Sequence, residues 1–287
     1  MCNRKLLSAL LVISALASIP SFAADRISQR LPTDRGRIKV AEIPDASAPG
    51  KRLKVLRTDA GTPLRAGTAW VWSQEPNEQP ASYYAQMREA GLNAVRIILF
   101  DVWMQESGYT TMDWKNPGYR RAMIERLERA VNHCSAHGLY AIINAHNKSP
   151  SPHPNYREEL NADLWAHIAP YFAGRTHVAY ELSNEAITGP GKDGKLEPED
   201  FRTLESLVRV HALARHLAPE THLMILTPCG ISGWGTLTAM RNLTRQFEKI
   251  SGPIDWKKTS VAYHLYHDDE KSDDDPNDYR NDDDRIF

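Results

Sequence analysis

The 287-residue chain carries 35 Lys and Arg against 36 Asp and Glu, a net charge of −1, with 41% hydrophobic and 25% charged residues. That is enough apolar material for one large domain with a sizeable core. The near-neutral balance excludes any overall electrostatic attraction to nucleic acid or an anionic membrane.

The first residues have the parts of a secretory signal. Arg4 and Lys5 form a positive start, residues 6–19 an apolar run, Pro20 a break, and Ser21-Phe22-Ala23 a small-residue cleavage site. Residues 1–23 are therefore expected to be a signal peptide, and the mature chain to be secreted or periplasmic and off the membrane after cleavage. The apolar run is shorter than the roughly 20 residues a bilayer span needs. Cys2 leaves with the signal. Cys134 shares a helical stripe with Leu127 and Val131 and reads as a buried thiol rather than as a bridge to Cys229.

Residues 24–51 are rich in Pro, Asp, Ser and Arg, show no period, and read as a linker or a wrap over the domain. Residues 53–57, the turn Asp59-Ala60-Gly61 and residues 62–64 suggest a small hairpin. Short apolar runs then alternate with helical patterns. Strands are expected at 64–70, 93–99, 139–145, 177–182, 222–227 and 260–265. Helices are expected at 81–90, 119–137, 156–172, 198–217 and 237–250, with Gly91, Gly138, Gly174 and Gly252 just beyond four of them. Strand and helix repeating at about 39 residues give parallel βαβ units and an α/β fold of the TIM (β/α)8-barrel type. No Gly-x-Gly-x-x-Gly follows the first strand, and no phosphate-binding loop is present. Only about six units are found in residues 52–267, and residues 268–287 form an acidic tail or a truncated loop with a net charge of −7.

Strand alternation places a polar residue near the C-terminal end of several apolar runs: Arg96 in the second, Asn144 and His146 in the third, Asn184 and Glu185 after the fourth, and His264 and Tyr266 in the sixth. Barrel enzymes build their sites at that end of the strands. Buried polar groups arriving at one rim are costly unless they satisfy one another, so the set points to a site.

Five stretches resemble glycoside hydrolase family 5, in order: Pro63-Leu-Arg-Ala-Gly67, Ala90-Gly-Leu-Asn-Ala-Val-Arg-Ile97, Tyr140-Ala-Ile-Ile-Asn-Ala-His-Asn147, Tyr180-Glu-Leu-Ser-Asn-Glu185 and Tyr263-His-Leu-Tyr266. The resemblance implies hydrolysis of O-glycosidic bonds in β-linked poly- or oligosaccharides by a retaining mechanism, with no cofactor and no metal. Glu185 would be the catalytic acid/base, and Arg96, His146, Asn184, His264 and Tyr266 would bind substrate. Trp72, Trp103 and Trp234 follow strands and could stack on sugar faces.

Two departures stand out. Ala186 stands where the family usually has Pro after Asn-Glu. No Gly-Glu-Phe/Trp-Gly sequence, the setting of the family's nucleophile, occurs. A retaining enzyme needs two carboxyl groups about 5–5.5 Å apart. Glu181 lies four residues back, about 13 Å along the strand, and is too deep. Asp268, Asp269 and Glu270 stand nearer the mouth, and would suit an inverting separation of about 6.5–9.5 Å. With the family's nucleophile absent, Arg96, which the resemblance puts beside it, would face an empty position. The alternatives are a non-catalytic carbohydrate-binding barrel or an inactive truncated fragment, the latter expected to self-associate through open sheet edges. His133 and His137 read as a solvent-edge pair rather than metal ligands, and Gly230-Ile-Ser-Gly233 is not a nucleophile elbow.

Overall fold

The computed structural model describes residues 35–46, 49–71, 79–100, 114–146, 158–184, 186–188, 198–225, 228–230, 233–262 and 264–265. It opens with an antiparallel pair, β1 (Lys39–Pro44) and β2 (Arg52–Arg57), in which Lys39 stands opposite Arg57 and Pro44 opposite Arg52. The partner of 53–57 is thus the stretch read as a linker, not 62–64. Near 62–64 only a single Arg57–Pro63 bridge forms. Pro63 has no N–H to give a ladder. Thr62 is instead held in a tight turn, its carbonyl accepting from the Thr58 N–H at 2.9 Å.

Alternating strands and helices follow: β3 (Ala66–Val71), α1 (Ala81–Glu89), β4 (Ala94–Phe100), α2 (Pro117–Ala136), β5 (Tyr140–His146), α3 (Glu158–Phe172), β6 (Val178–Glu181) and β7 (Ile187–Thr188). Then come α4 (Pro198–Leu217), β8 (His222–Ile225), β9 (Pro228–Gly230), α5 (Gly233–Ser251), β10 (Thr259–Val261) and β11 (His264–Leu265). The main sheet is parallel, in the order β10-β8-β6-β5-β4-β3. Sequential strands lie side by side and each crossover is helical, which is the arrangement of a partial (β/α)8 barrel. Among the described residues β3 and β10 are its edges. Each of β6, β8 and β10 is followed within a few residues by a short second piece, and these form their own parallel sheet, β11-β9-β7. The break after β6 falls on Leu182, Ser183 and Asn184, where the polar side chains begin.

The strands are apolar on both faces because both are covered. One face presents Val95, Ile97, Leu99, Ala141, Ile143, Val178, Tyr180 and Leu223 to the helices, where they meet Leu127, Val131, Leu164, Trp165 and Phe172 in the larger core. The other face presents Ala94, Tyr140, Ile142, Ala179 and Met224, which form a second cluster with Ile38. That second face is the barrel interior, and it carries the site.

Local signals account for the helix ends. The Asn116 side chain accepts from the backbone N–H groups of Gly118 at 2.9 Å and Tyr119 at 3.2 Å, and Pro117 takes the first position of α2. Gly138, at φ 76°, turns the chain out of α2 so that the Leu139 N–H reaches the Cys134 carbonyl at 2.8 Å. Helix α5 begins at Gly233, four residues before the expected start. Gly233 and Gly235 weaken the local helical signal, which the surrounding structure overrides. Cys134 is a free, fully buried thiol whose pKa is pushed up by burial.

A strap before β1 ties the helix ends together. Arg35 donates to the Ser135 carbonyl at 3.4 Å, Arg37 to the Ala173 carbonyl at 2.8 Å, and the Thr176 hydroxyl to the Arg35 carbonyl at 2.6 Å. The Tyr140 hydroxyl, at the start of β5, stands 2.9 Å from the Gly36 carbonyl oxygen and 2.7 Å from Asp59 Oδ1.

Candidate functional site

Arg96 projects from the inner face of β4. In register it stands beside Ile142 of β5, which in turn stands beside Ala179 of β6. One inward-facing level further toward the C-terminal end, Ile98, Asn144 and Glu181 are aligned across the same three strands. The long Arg96 side chain spans this step and meets Glu181 side-on. Nε donates to Oε2 at 2.6 Å and Nη2 to Oε1 at 2.9 Å. Nη2 also donates to Asn184 Oδ1 at 2.7 Å. The Glu181 side chain is 3% exposed and Arg96 19%, so the pair is held largely away from water and its geometry is what makes it tolerable. Arg96 is thus not left without a counter-ion: an arginine on a buried strand face needs one, and Glu181 supplies it.

Asn144 and His146 follow on β5. Asn144 is fully buried; its Oδ1 lies 3.3 Å from His146 Nδ1, and among the described residues its Nδ2 has no hydrogen-bond partner. His146 is half-buried at the strand's end, level with Phe100 of β4.

The segment carrying Asn184 is fixed from three sides. From β5, the Ala145 carbonyl accepts from the Asn184 N–H at 2.9 Å. From the inner face, Arg96 holds the Asn184 side chain. From the helix layer, Asn161 Nδ2 and Trp165 Nε1 of α3 both donate to the Leu182 carbonyl at 2.9 Å. Trp165 and Asn161 are fully buried, and the Trp165 ring lies 5.0 Å from that of Tyr180. Burying an indole N–H costs free energy unless it finds an acceptor. Here it finds the carbonyl two residues before Asn184.

The structure thus brings together Arg96, Asn144, His146 and Asn184 of the residues singled out from sequence, and adds Glu181, Asn161 and Trp165. The signal for Glu181 was present. It is the inward-facing carboxylate of its strand, and an inward-facing arginine stood two strands away. Glu185, Tyr266, Trp72 and Trp103 lie outside the described residues, as do Asp268, Asp269 and Glu270. His264 enters β11 with its backbone beside Cys229, and Trp234 stands in the first turn of α5 rather than in a loop; their side chains lie outside the description. Among the described residues no group of three or more His, Cys, Asp or Glu side chains could hold a metal ion. No helix among them is long and apolar enough to cross a membrane.

The chain matches the family model described as cellulase (glycosyl hydrolase family 5) over residues 55–286. It is 26% identical over 170 residues to endoglucanase E-5 of Thermobifida fusca, covering 59% of this chain and 32% of that protein. It is 29% identical over 133 residues to the cellulase/esterase CelE of Acetivibrio thermocellus, covering 44% of this chain and 15% of that protein. The chain therefore spans about a third or less of the length of these curated relatives. Among solved structures, the catalytic domain of the Thermobifida fusca endoglucanase Cel5A (E5) superposes with a TM-score of 0.52 at 20% identity, over 80% of this chain and 64% of that one. A variant of the same domain in complex with cellotetraose gives 0.51, also at 20% identity and the same coverage. The likeness in structure extends the fold to an incomplete barrel of the same kind.

Proposed function

The chain belongs to glycosyl hydrolase family 5, the cellulase family, and on that premise we propose that it acts on β-1,4-linked glucans by a retaining mechanism in which Glu185 is the acid/base. The observation that carries the proposal is the Arg96–Glu181–Asn184 network at the C-terminal end of the inner sheet face, one residue before Glu185. The relatives named endoglucanase and cellulase, and the neighbour that holds cellotetraose, support the choice of glucan.

In this mechanism a carboxylic acid protonates the leaving oxygen while a second carboxylate attacks the anomeric carbon. The first then removes a proton from the water that resolves the glycosyl-enzyme. Asn184 and His146 offer hydrogen bonds to sugar hydroxyls beside that centre. Exported glucan hydrolysis also accords with the signal-like residues 1–23, cleaved after Ala23. No nucleophile is assigned, since Glu181 lies four residues back from Glu185, about 13 Å along the strand, and no Gly-Glu-Phe/Trp-Gly sequence occurs in the 287 residues. The second reading is a barrel that binds glycans without turnover.

The test is hydrolysis of a panel of cellulose-derived, mannan, xyloglucan and aryl-glycoside substrates by the wild-type chain and Glu185→Gln, with binding of cellotetraose measured by calorimetry. Glucan turnover that drops about 100-fold or more in the variant is the expected result for a general acid–base residue. Turnover unchanged by the substitution refutes the role of Glu185. Cellotetraose bound without release of shorter sugars decides for the binding barrel.

A further inference from the structure

We infer that Glu181 is a positioning residue of the site: its carboxylate clamps Arg96 so that the Arg96 guanidinium orients the Asn184 carboxamide for a glycan ligand. The inference rests on the glycan-binding reading of the site and adds to it a residue that never touches the ligand.

Arginine carries five N–H donors and no acceptor, so the end of the Asn184 carboxamide that faces Arg96 must be its oxygen. The 2.7 Å contact between Arg96 Nη2 and Asn184 Oδ1 shows that arrangement. The carboxamide nitrogen, the only donor on that side chain, is thereby turned away from the guanidinium. Arg96 can impose this only if its own plane is fixed. A guanidinium held by two parallel bonds to one carboxylate has its plane set by that carboxylate. Glu181 makes both bonds, through Nε and Nη2, which leaves Nη2 shared between Glu181 Oε1 at 2.9 Å and Asn184 Oδ1 at 2.7 Å.

Charge completes the argument. Glu181 is 3% exposed, so removing its negative charge would leave Arg96 uncompensated where water reaches it poorly. The guanidinium would then leave its present plane and release Asn184. The backbone would not follow, because the Leu182 carbonyl is held independently by Asn161 and Trp165 and the Asn184 N–H by the Ala145 carbonyl. Loss of Glu181 should therefore alter the Asn184 side chain while the fold around it stays.

The experiment has two arms. The first follows the side-chain amide resonance of Asn184 by 1H–15N NMR, assigned by its disappearance in Asn184→Ala. It is expected to shift in Glu181→Gln and Arg96→Lys. It should not shift in Glu128→Gln, which removes a comparable ion-pair carboxylate from Arg175, at a site away from the barrel interior. The second arm measures cellotetraose binding in a double-mutant cycle. Glu181→Gln and Asn184→Ala are each expected to weaken it about tenfold, with the double variant no weaker than Asn184→Ala alone. Should Glu181→Gln fail to fold, Arg96→Met with Glu181→Leu removes both charges at similar volume and is expected to give the same amide shift. An Asn184 resonance unmoved in all these variants, or losses of affinity that add, overturns the positioning role. A wild-type chain that binds no cellotetraose overturns the glucan reading instead, and the amide resonance still decides for or against Glu181.

Discussion

Acid should weaken this protein through buried histidines before its carboxylates titrate. His177 is 1% exposed, its Nε2 3.2 Å from the Val131 carbonyl, and its pKa is pushed down to about 4, chiefly by burial and then by Arg175 and Arg35. His222 is 2% exposed, its Nε2 2.9 Å from Ser260 Oγ, and its pKa is likewise about 4, through burial and the nearby Arg215. His211, against the Phe247 ring, is lowered to about 4 by burial and Arg215. For each, the folded pKa lies below the unfolded value of 6.5, so the unfolded chain binds the extra proton. Stability is then full above about pH 6.5 and declines as pH falls toward 4. Each shift is at most about 3 kcal/mol in total, and between pH 7.5 and 5 a loss of about 2 kcal/mol per histidine follows. On a domain of this size that corresponds to about 4–8 °C in melting temperature per histidine. Carboxylates held low, such as Glu158 beside Arg209, add their loss only below the ordinary value of 4.5. The assay is thermal unfolding followed by circular dichroism from pH 7.5 to 4.5, for the wild-type chain, His177→Gln and His222→Gln. Each variant starts from a lower melting temperature, but its fall between pH 7 and 5 should be shallower by about one histidine's share. A slope identical to wild type in both variants refutes the argument.

Three further outcomes follow from packing and capping. Trp165→Phe keeps most of the apolar bulk but removes the donor to the Leu182 carbonyl, and should cost about 1–3 kcal/mol in chemical denaturation; a cost near zero would mean that the bond holds nothing. Asn116→Ala removes the cap of α2 and should cost about 1 kcal/mol, whereas Asn116→Asp should keep most of it. Cys134, fully buried with its pKa raised, should resist thiol reagents in the native state and react on denaturation; fast labelling of the folded chain at that position would contradict its burial.

The βα framework was legible because its signals are local. Helix α4 runs over the expected residues 198–217, and Gly138 marks the end of α2 where a left-handed cap was needed. The inner rim was legible in part, since alternation alone puts Arg96, Asn144 and His146 on strand faces. What was not legible is pairing between elements. Strand β1 carries no strong period, and its identity depends on its partner β2. The Arg96–Glu181 pair depends on a register across three strands, which alternation within one strand does not contain. Trp165 falls within an expected helix, but its indole N–H matters only once the Leu182 carbonyl stands opposite.

The strap before β1 has a consequence for the order of assembly. Its bonds join residues separated by 100 to 141 positions, from Arg35 to Ser135, Arg37 to Ala173 and Thr176 to Arg35. Closing such loops costs chain entropy that the local βα units do not incur, so these contacts reward the chain only after β5 and the ends of α2 and α3 are in place. The strap therefore closes late and opens early. Residues 35–58 should form the unit of lowest protection in native-state hydrogen exchange, releasing the N-terminal end of the barrel while the sheet beneath the site stays intact.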